Sequence, residues 1–260
     1  KLACPSEVEA DLNQEVDLDL IRTETEKCLT GLNGDPRFYT TAIAMNDYNL
    51  VREAMGYDQI NIMGVSYGTR SAQVYLRMFP DTVRTATLDS VVPMQLALGQ
   101  EHAPMLNRSV KAVFEDCAKD DVCNGLYPHE ASELDALIAQ VRANPKQISI
   151  INPVSGEPQE MLLTADSLTV AIRFLSYASE TQALIPLLVH EALSTGDLSR
   201  LASQAILGMT GLIDMLARGM ELSVLCSEDY PFIDLSADYS DTLIGNLFLN
   251  FSFHCIVQGC

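Results

Sequence analysis

Polar and apolar positions follow a helical period over residues 7–29, a stretch rich in Glu, Asp, Leu and Thr that Gly31, Gly34 and Pro36 then interrupt. Residues 40–55 form a second amphipathic helix, predicted to place Ile43, Leu50, Val51 and Ala54 on its apolar side and to stop at Gly56. The period then changes. Residues 59–63, Gln-Ile-Asn-Ile-Met, are short and β-like and run straight into Gly64. Residues 69–79 return to a helical pattern ended by Pro80 and Asp81, and residues 83–92 read as a second strand closed by Pro93. Strand, tight turn, helix, strand is one right-handed crossover unit of a parallel sheet.

From about residue 96 to 225 helical patterns dominate, over 106–118, 131–143, 167–176, 184–193 and 202–222, with one β excursion at 147–152. Residues 241–253 are again helix-like, and there is no internal repeat or low-complexity tract. The expected organisation is therefore an α/β segment at 1–95, an all-helical block at 96–225 inserted after a sheet strand, and a return segment at 226–260. Two parallel strands cannot form a stable independent sheet. Either further strands escape the pattern, or the chain is an internal piece of a longer protein, and the second is the expectation. The opening Lys1, with nothing near it that reads as a signal peptide, points to something removed upstream by processing or truncation.

Charge narrows the partners. The 260 residues carry a formal net charge of -19, which repels nucleic-acid phosphates and anionic membranes and argues against both. Such a surface favours a substrate with a positive group, such as a free amino terminus, although plain solubility explains it too. No apolar run approaches the length needed to span a bilayer. Seven cysteines without CxxC spacing or accompanying histidines do not form a zinc set. Disulfides in an oxidising compartment explain them better than scattered buried thiols.

The chemistry centres on Gly64-Val65-Ser66-Tyr67-Gly68. A Gly-x-Ser-x-Gly pentapeptide alone is weak, since chance places one in about one chain in ten of this length. Its setting strengthens it, because a nucleophile elbow needs its serine on a strained turn directly after a strand and before a helix. The glycines at 64 and 68 are expected to relieve crowding at that turn. The backbone N–H of Tyr67, at the helix N-terminus, is expected to face a developing oxyanion.

Several longer runs extend the comparison. Gly64-Val65-Ser66-Tyr67-Gly68-Thr69-Arg70 is followed by Tyr75-Leu76-Arg77-Met78-Phe79-Pro80 and by Leu88-Asp89-Ser90-Val91-Val92-Pro93. With Tyr39-Thr40-Thr41, Asp47, Arg52, Gly56-Tyr57, Cys226-Ser227-Glu228-Asp229 and Cys4-Pro5, the chain closely resembles the tripeptidyl aminopeptidase branch of the proline iminopeptidase-like α/β-hydrolases. The resemblance is strongest over 39–93 and thin across the helical block. It implies an α/β-hydrolase core with the helical block as a lid, and a secreted or periplasmic serine exopeptidase that takes residues from peptide N-termini without metal or organic cofactor. It also implies disulfides Cys4–Cys28, Cys117–Cys123 and Cys226–Cys255, with Cys226–Cys260 as the alternative to the last. The chain departs from the family's Cys-x-x-Trp-Pro at Cys255-Ile256-Val257-Gln258-Gly259.

An enzyme of this fold needs an acid and then a histidine after the nucleophile in chain order. His102, His129, His190 and His254 each read as ordinary packing or surface histidines. Asp89, at the end of a strand, reads as structural. No His-Gly-Gly stretch precedes Ser66 to supply a second oxyanion donor, so both ends of a catalytic domain look cut off and the 260 residues alone are expected to hydrolyse little. Glu228 and Asp229 follow the lid and are candidate partners for a substrate α-ammonium group, against the plainer reading of a solvated acidic loop. Two rival readings stand beside the peptidase: a carboxylic-ester hydrolase of the same fold, and a binding protein without catalysis.

Overall fold

The computed structural model describes residues 2–4, 18–243 and 245. Helix α1 (Leu18–Gly31) leads through a short turn to α2 (Thr41–Ala54), whose first turn is capped by the Thr40 hydroxyl accepting from the Ile43 N–H. Strand β1 (Ile60–Val65), helix α3 (Tyr67–Met78) and strand β2 (Val83–Asp89) follow. The two strands pair in parallel, with Asn61 opposite Thr85 and Val65 opposite Asp89, as the crossover reading requires. The helix starts two residues earlier than the pattern suggests. The second strand stops three residues short of Val92, because Ser90 takes a left-handed conformation, φ 56°, that no ladder accommodates.

The next block is α4 (His102–Lys119), α5 (Asp121–Leu126), α6 (Glu130–Ala143), β3 (Lys146–Ile151), β4 (Pro158–Leu163), α7 (Ala165–Leu175), α8 (Ser179–Gln182), α9 (Ile185–Thr195), α10 (Ser199–Met215) and α11 (Arg218–Glu228). It is not all-helical. Strands β3 and β4 form an antiparallel hairpin, with Lys146 opposite Leu163 and Ile151 opposite Pro158. The Asn152 side chain turns its loop by accepting from the N–H groups of Val154 and Ser155. The single helix expected at 202–222 is two, broken at residues 216–217 between α10 and α11. Of the helix expected at 241–253, residues 241–243 and 245 are turn and bend, and the rest lies outside the described residues, as do residues 7–17 of the first predicted helix.

The main apolar core lies inside this block. Leu134 and Leu137 of α6, Met161 and Leu163 of β4, Leu168 and Ile172 of α7, and Ile185 and Leu201 are all fully buried in one cluster. The α/β segment is packed differently. Helix α2 buries Thr41, Met45 and Asn49, while Ile43, Leu50, Val51 and Ala54, the face predicted to be inward, are exposed. Helix α2 lies against α3, where the Tyr75 hydroxyl donates to Asn49 Oδ1 at 3.1 Å, a bond the opposite rotation of α2 would break. The described cysteines join as Cys4–Cys28 and Cys117–Cys123. Cys226 is also disulfide-bonded, and Cys255, expected to pair with it, lies outside the described residues.

Candidate active site

Ser66 stands between the last residue of β1 and the first of α3, at φ 53° and ψ -123°. A non-glycine residue with positive φ is held there only when its surroundings over-determine it. Those surroundings are visible. The Ser66 N–H donates to the Asp89 carbonyl at 3.0 Å, tying the turn to the end of β2. The Ser66 carbonyl accepts from both the N–H and the hydroxyl of Thr69, at 2.9 and 2.7 Å. The same hydroxyl accepts from the Val92 N–H at 2.8 Å, and the Gln73 amide donates to the carbonyls of Thr69 and Val92.

The two glycines of the pentapeptide have different reasons. A Cβ on Gly64 would sit 2.3 Å from the Gly68 carbonyl oxygen and 2.8 Å from the Thr69 nitrogen, so only glycine lets strand and helix approach this closely. A Cβ on Gly68 would meet nothing within 4 Å. The expectation that both relieve crowding therefore holds for Gly64 alone; Gly68 contributes its backbone to the contact. Ser66 itself is exposed, and Tyr67 opens α3, so its N–H is one of the first-turn donors that a helix leaves unpaired.

Behind the turn, two acidic residues at the end of α11 reach α2 and α3. Glu228 accepts from the N–H and the hydroxyl of Thr41, each at 2.6 Å, and the Thr41 hydroxyl meets the Tyr67 hydroxyl at 2.5 Å. Asp229 is fully buried beside Arg70, 3% exposed, with Oδ1 at 2.6 Å from the guanidinium and accepting the Leu98 N–H at 2.8 Å. Arg70 also donates to the Leu96 carbonyl. The pair pins α3, the segment after β2, and the end of α11 together. Asp229, expected beside Glu228 as a partner for a substrate ammonium, is thus turned inward to Arg70 and presents no exposed carboxylate, whereas Glu228 is only half-buried. Thr41, Thr69 and Arg70 stand in the runs that carry the family resemblance, but the sequence assigns none of them a role; their contacts do.

The described histidines are engaged elsewhere. His190 contacts both Glu133 carboxylate oxygens at 3.0 Å, and its ring lies 5.5 Å from that of Tyr127. His129 precedes α6 as its cap residue. His102 opens α4, where burial first and the positive charge of Arg173 second push its imidazole down to about 4. Among the described residues Ser66 Oγ makes no hydrogen bond, and His254 lies outside them. A shallow cavity of about 650 Å³, lined by Gly56, Tyr57, Asp58, Gln59, Asp81 and Arg84, opens at the start of β1, the opposite strand end from Ser66. Ligands of open α/β sheets bind at the carboxyl ends of the strands, which favours the Ser66 end. No group of three or more metal-ligating side chains occurs among the described residues, and no described helix is long and apolar enough to cross a membrane.

Comparison with known proteins agrees with this geometry. Residues 22–133 match the family model described as the alpha/beta hydrolase fold. The serine protease Hip1 of Mycobacterium tuberculosis is 28% identical over 141 residues, 52% of this chain and 27% of that protein. The tripeptidyl aminopeptidase of Streptomyces lividans is 45% identical over 53 residues, 20% of this chain and 10% of that protein. The matched stretch thus spans about a quarter or less of these relatives' length. The strand, the strained Ser66 turn and the helix, together with the family match, give residues 22–133 of this chain the α/β-hydrolase fold, and the chain is similar to a serine protease and to a tripeptidyl aminopeptidase.

Proposed function

We propose that the protein carrying this chain is a serine peptidase that removes residues from the N-terminus of short peptides, with Ser66 as nucleophile. The observation that carries the reading is the strained conformation of Ser66 between a parallel strand and a helix, which costs stability and is fixed by hydrogen bonds from both sides. Ser66 Oγ attacks the scissile carbonyl, its proton passing to a general base, and the Tyr67 N–H binds the tetrahedral oxyanion. Collapse expels the peptide amine and leaves an acyl-serine, which water then hydrolyses. In this reading residues 1–95 form the core that holds the nucleophile, 96–225 form a lid over it, and 226–260 return toward the core. The disulfides support action in an oxidising setting, secreted or periplasmic.

Glu228 is the proposed partner for the substrate's α-ammonium. Each of its oxygens accepts one hydrogen bond from Thr41, which fixes the carboxylate and leaves further acceptor positions. The test uses the full-length protein: a fluorophosphonate probe should label Ser66, and Ser66→Ala should abolish both labelling and release of nitroaniline from short peptidyl nitroanilides. Glu228→Gln should raise KM by a larger factor for free-amine peptides than for N-acetylated ones, and equal effects on both would remove the α-ammonium role. Cleavage of nitrophenyl esters without cleavage of any peptidyl nitroanilide would turn the reading to an ester hydrolase, and absence of labelling would turn it to a binding protein.

A further inference from the structure

The hydrogen-bond chain from Glu228 to Tyr67 has a fixed direction. A carboxylate only accepts, so the single hydrogen of the Thr41 hydroxyl is spent on Glu228 Oε2, at 2.6 Å. The contact of 2.5 Å between Thr41 Oγ1 and the Tyr67 hydroxyl must then be a donation from Tyr67. Thr41 is 2% exposed and its N–H is also held by Glu228, so its hydroxyl cannot swing to another partner without parting from both Glu228 Oε2 and the Tyr67 hydroxyl. Tyr67 is therefore tethered at its far end, through Thr41 of α2, to the last residue of α11. Its near end is the backbone that follows Ser66.

We infer that Thr41 is a positioning residue for the reaction at Ser66, acting by holding Tyr67. The inference rests on the reading of Ser66 as nucleophile and Tyr67 N–H as oxyanion donor. A donor works on a transition state only within a narrow range of place and angle, and misplacement on the order of 1 Å costs about a hundredfold in rate. Helix α3 fixes the Tyr67 backbone from the C-terminal side; the Thr41 tether fixes the side chain and so removes the remaining freedom of the first helical residue to roll about the turn. Glu228 gains by the same arrangement, since the hydroxyl and N–H of Thr41 aim its carboxylate. One buried threonine thus links the end of the helical block to the nucleophile turn.

The experiment measures phosphonylation of Ser66 by a fluorophosphonate in the full-length protein, separating the limiting rate kinact from the binding constant KI. Thr41→Val keeps the branched shape and removes the hydroxyl; it should lower kinact about tenfold with KI unchanged. Thr41→Ser restores the hydroxyl and should come back to within about twofold of the parent. Tyr67→Phe cuts the same link from its other end and should lower kinact to a similar extent, and the double variant should lose no more than either single one. A kinact of Thr41→Val equal to that of the parent, or fully additive losses in the double variant, overturns the positioning role while leaving Ser66 as nucleophile. A parent protein that does not label at all overturns the nucleophile reading and this inference together. Should Thr41→Val fail to fold, Tyr67→Phe carries the test from the other end of the link, and a kinact equal to the parent's overturns the positioning role.

Discussion

The two glycines of the Ser66 turn should respond to the same substitution with opposite sign. In Gly64→Ala the new Cβ would lie 2.3 Å from the Gly68 oxygen and 2.5 Å from the Gly68 carbonyl carbon, where ordinary contact begins at 3.4 Å. The overlap is about 1 Å against backbone on both sides, and neither β1 nor α3 can yield without breaking the Ser66–Asp89 and Ser66–Thr69 hydrogen bonds. Overpacking of this kind costs about 3 kcal/mol, which lowers Tm by roughly 6–12 °C for a domain of this size. In Gly68→Ala the Cβ meets nothing, and the position is the second residue of α3. There alanine should stabilise by about 0.5–1 kcal/mol, the helical cost of glycine removed. Urea unfolding followed by far-UV circular dichroism, with disulfides intact, measures both. A neutral Gly64→Ala, or a Gly68→Ala as damaging as Gly64→Ala, would refute the account of how this turn is packed.

Other substitutions test other parts of the frame. Asp229→Asn leaves the Arg70 guanidinium buried without its counter-charge and should destabilise by about 3–5 kcal/mol, and the Arg70→Met/Asp229→Leu double variant should lose less than the sum of its single changes in the same urea assay. Ser90→Gly relieves a left-handed conformation costing about 1–2 kcal/mol against a glycine entropy cost of about 0.5–1 kcal/mol, so a small rise in Tm is expected and a fall would contradict the strain. His102 has a folded value of about 4 against 6.5 for the unconstrained imidazole. The unfolded chain therefore binds the extra proton between those values, and stability is fully present above pH 6.5 and lost as pH falls through 4, by about 3 kcal/mol at most. His102→Phe should remove that part of the pH dependence, and melting curves at pH 7 and pH 4 that differ equally for both proteins would exclude it.

How much of this could be read from the chain depends on how local each feature is. The Ser66 turn is local: strand, glycines and helix lie within twenty residues, and the pattern places them correctly. Strand β4 is local too, yet Pro158-Gln-Glu-Met-Leu-Leu opens on proline and shows no alternation; its pairing with β3 and the burial of Met161 and Leu163 make it a strand. The break between α10 and α11 has no glycine or proline within residues 216–217, so nothing in the helical period marks it. For α2 the pattern correctly gives an amphipathic helix but assigns a different inward face, because area alone predicts burial of Ile43 and Leu50, whereas the buried face carries Thr41, Met45 and Asn49, the last bonded to Tyr75 of α3. The supports of the site are the least legible. Glu228 and Asp229 read as one acidic pair, but their partners lie 187 and 159 residues away and give them different environments: a half-buried carboxylate aimed by Thr41, and a fully buried one locked to Arg70. Adjacent residues at a helix end project to different sides, so a single-residue step is enough to divide a proposed binding group from a structural one. The sequence can locate the Ser66 turn because its geometry is made by its neighbours. It cannot apportion the charges behind it, because that geometry is made only when α2, α3 and α11 meet.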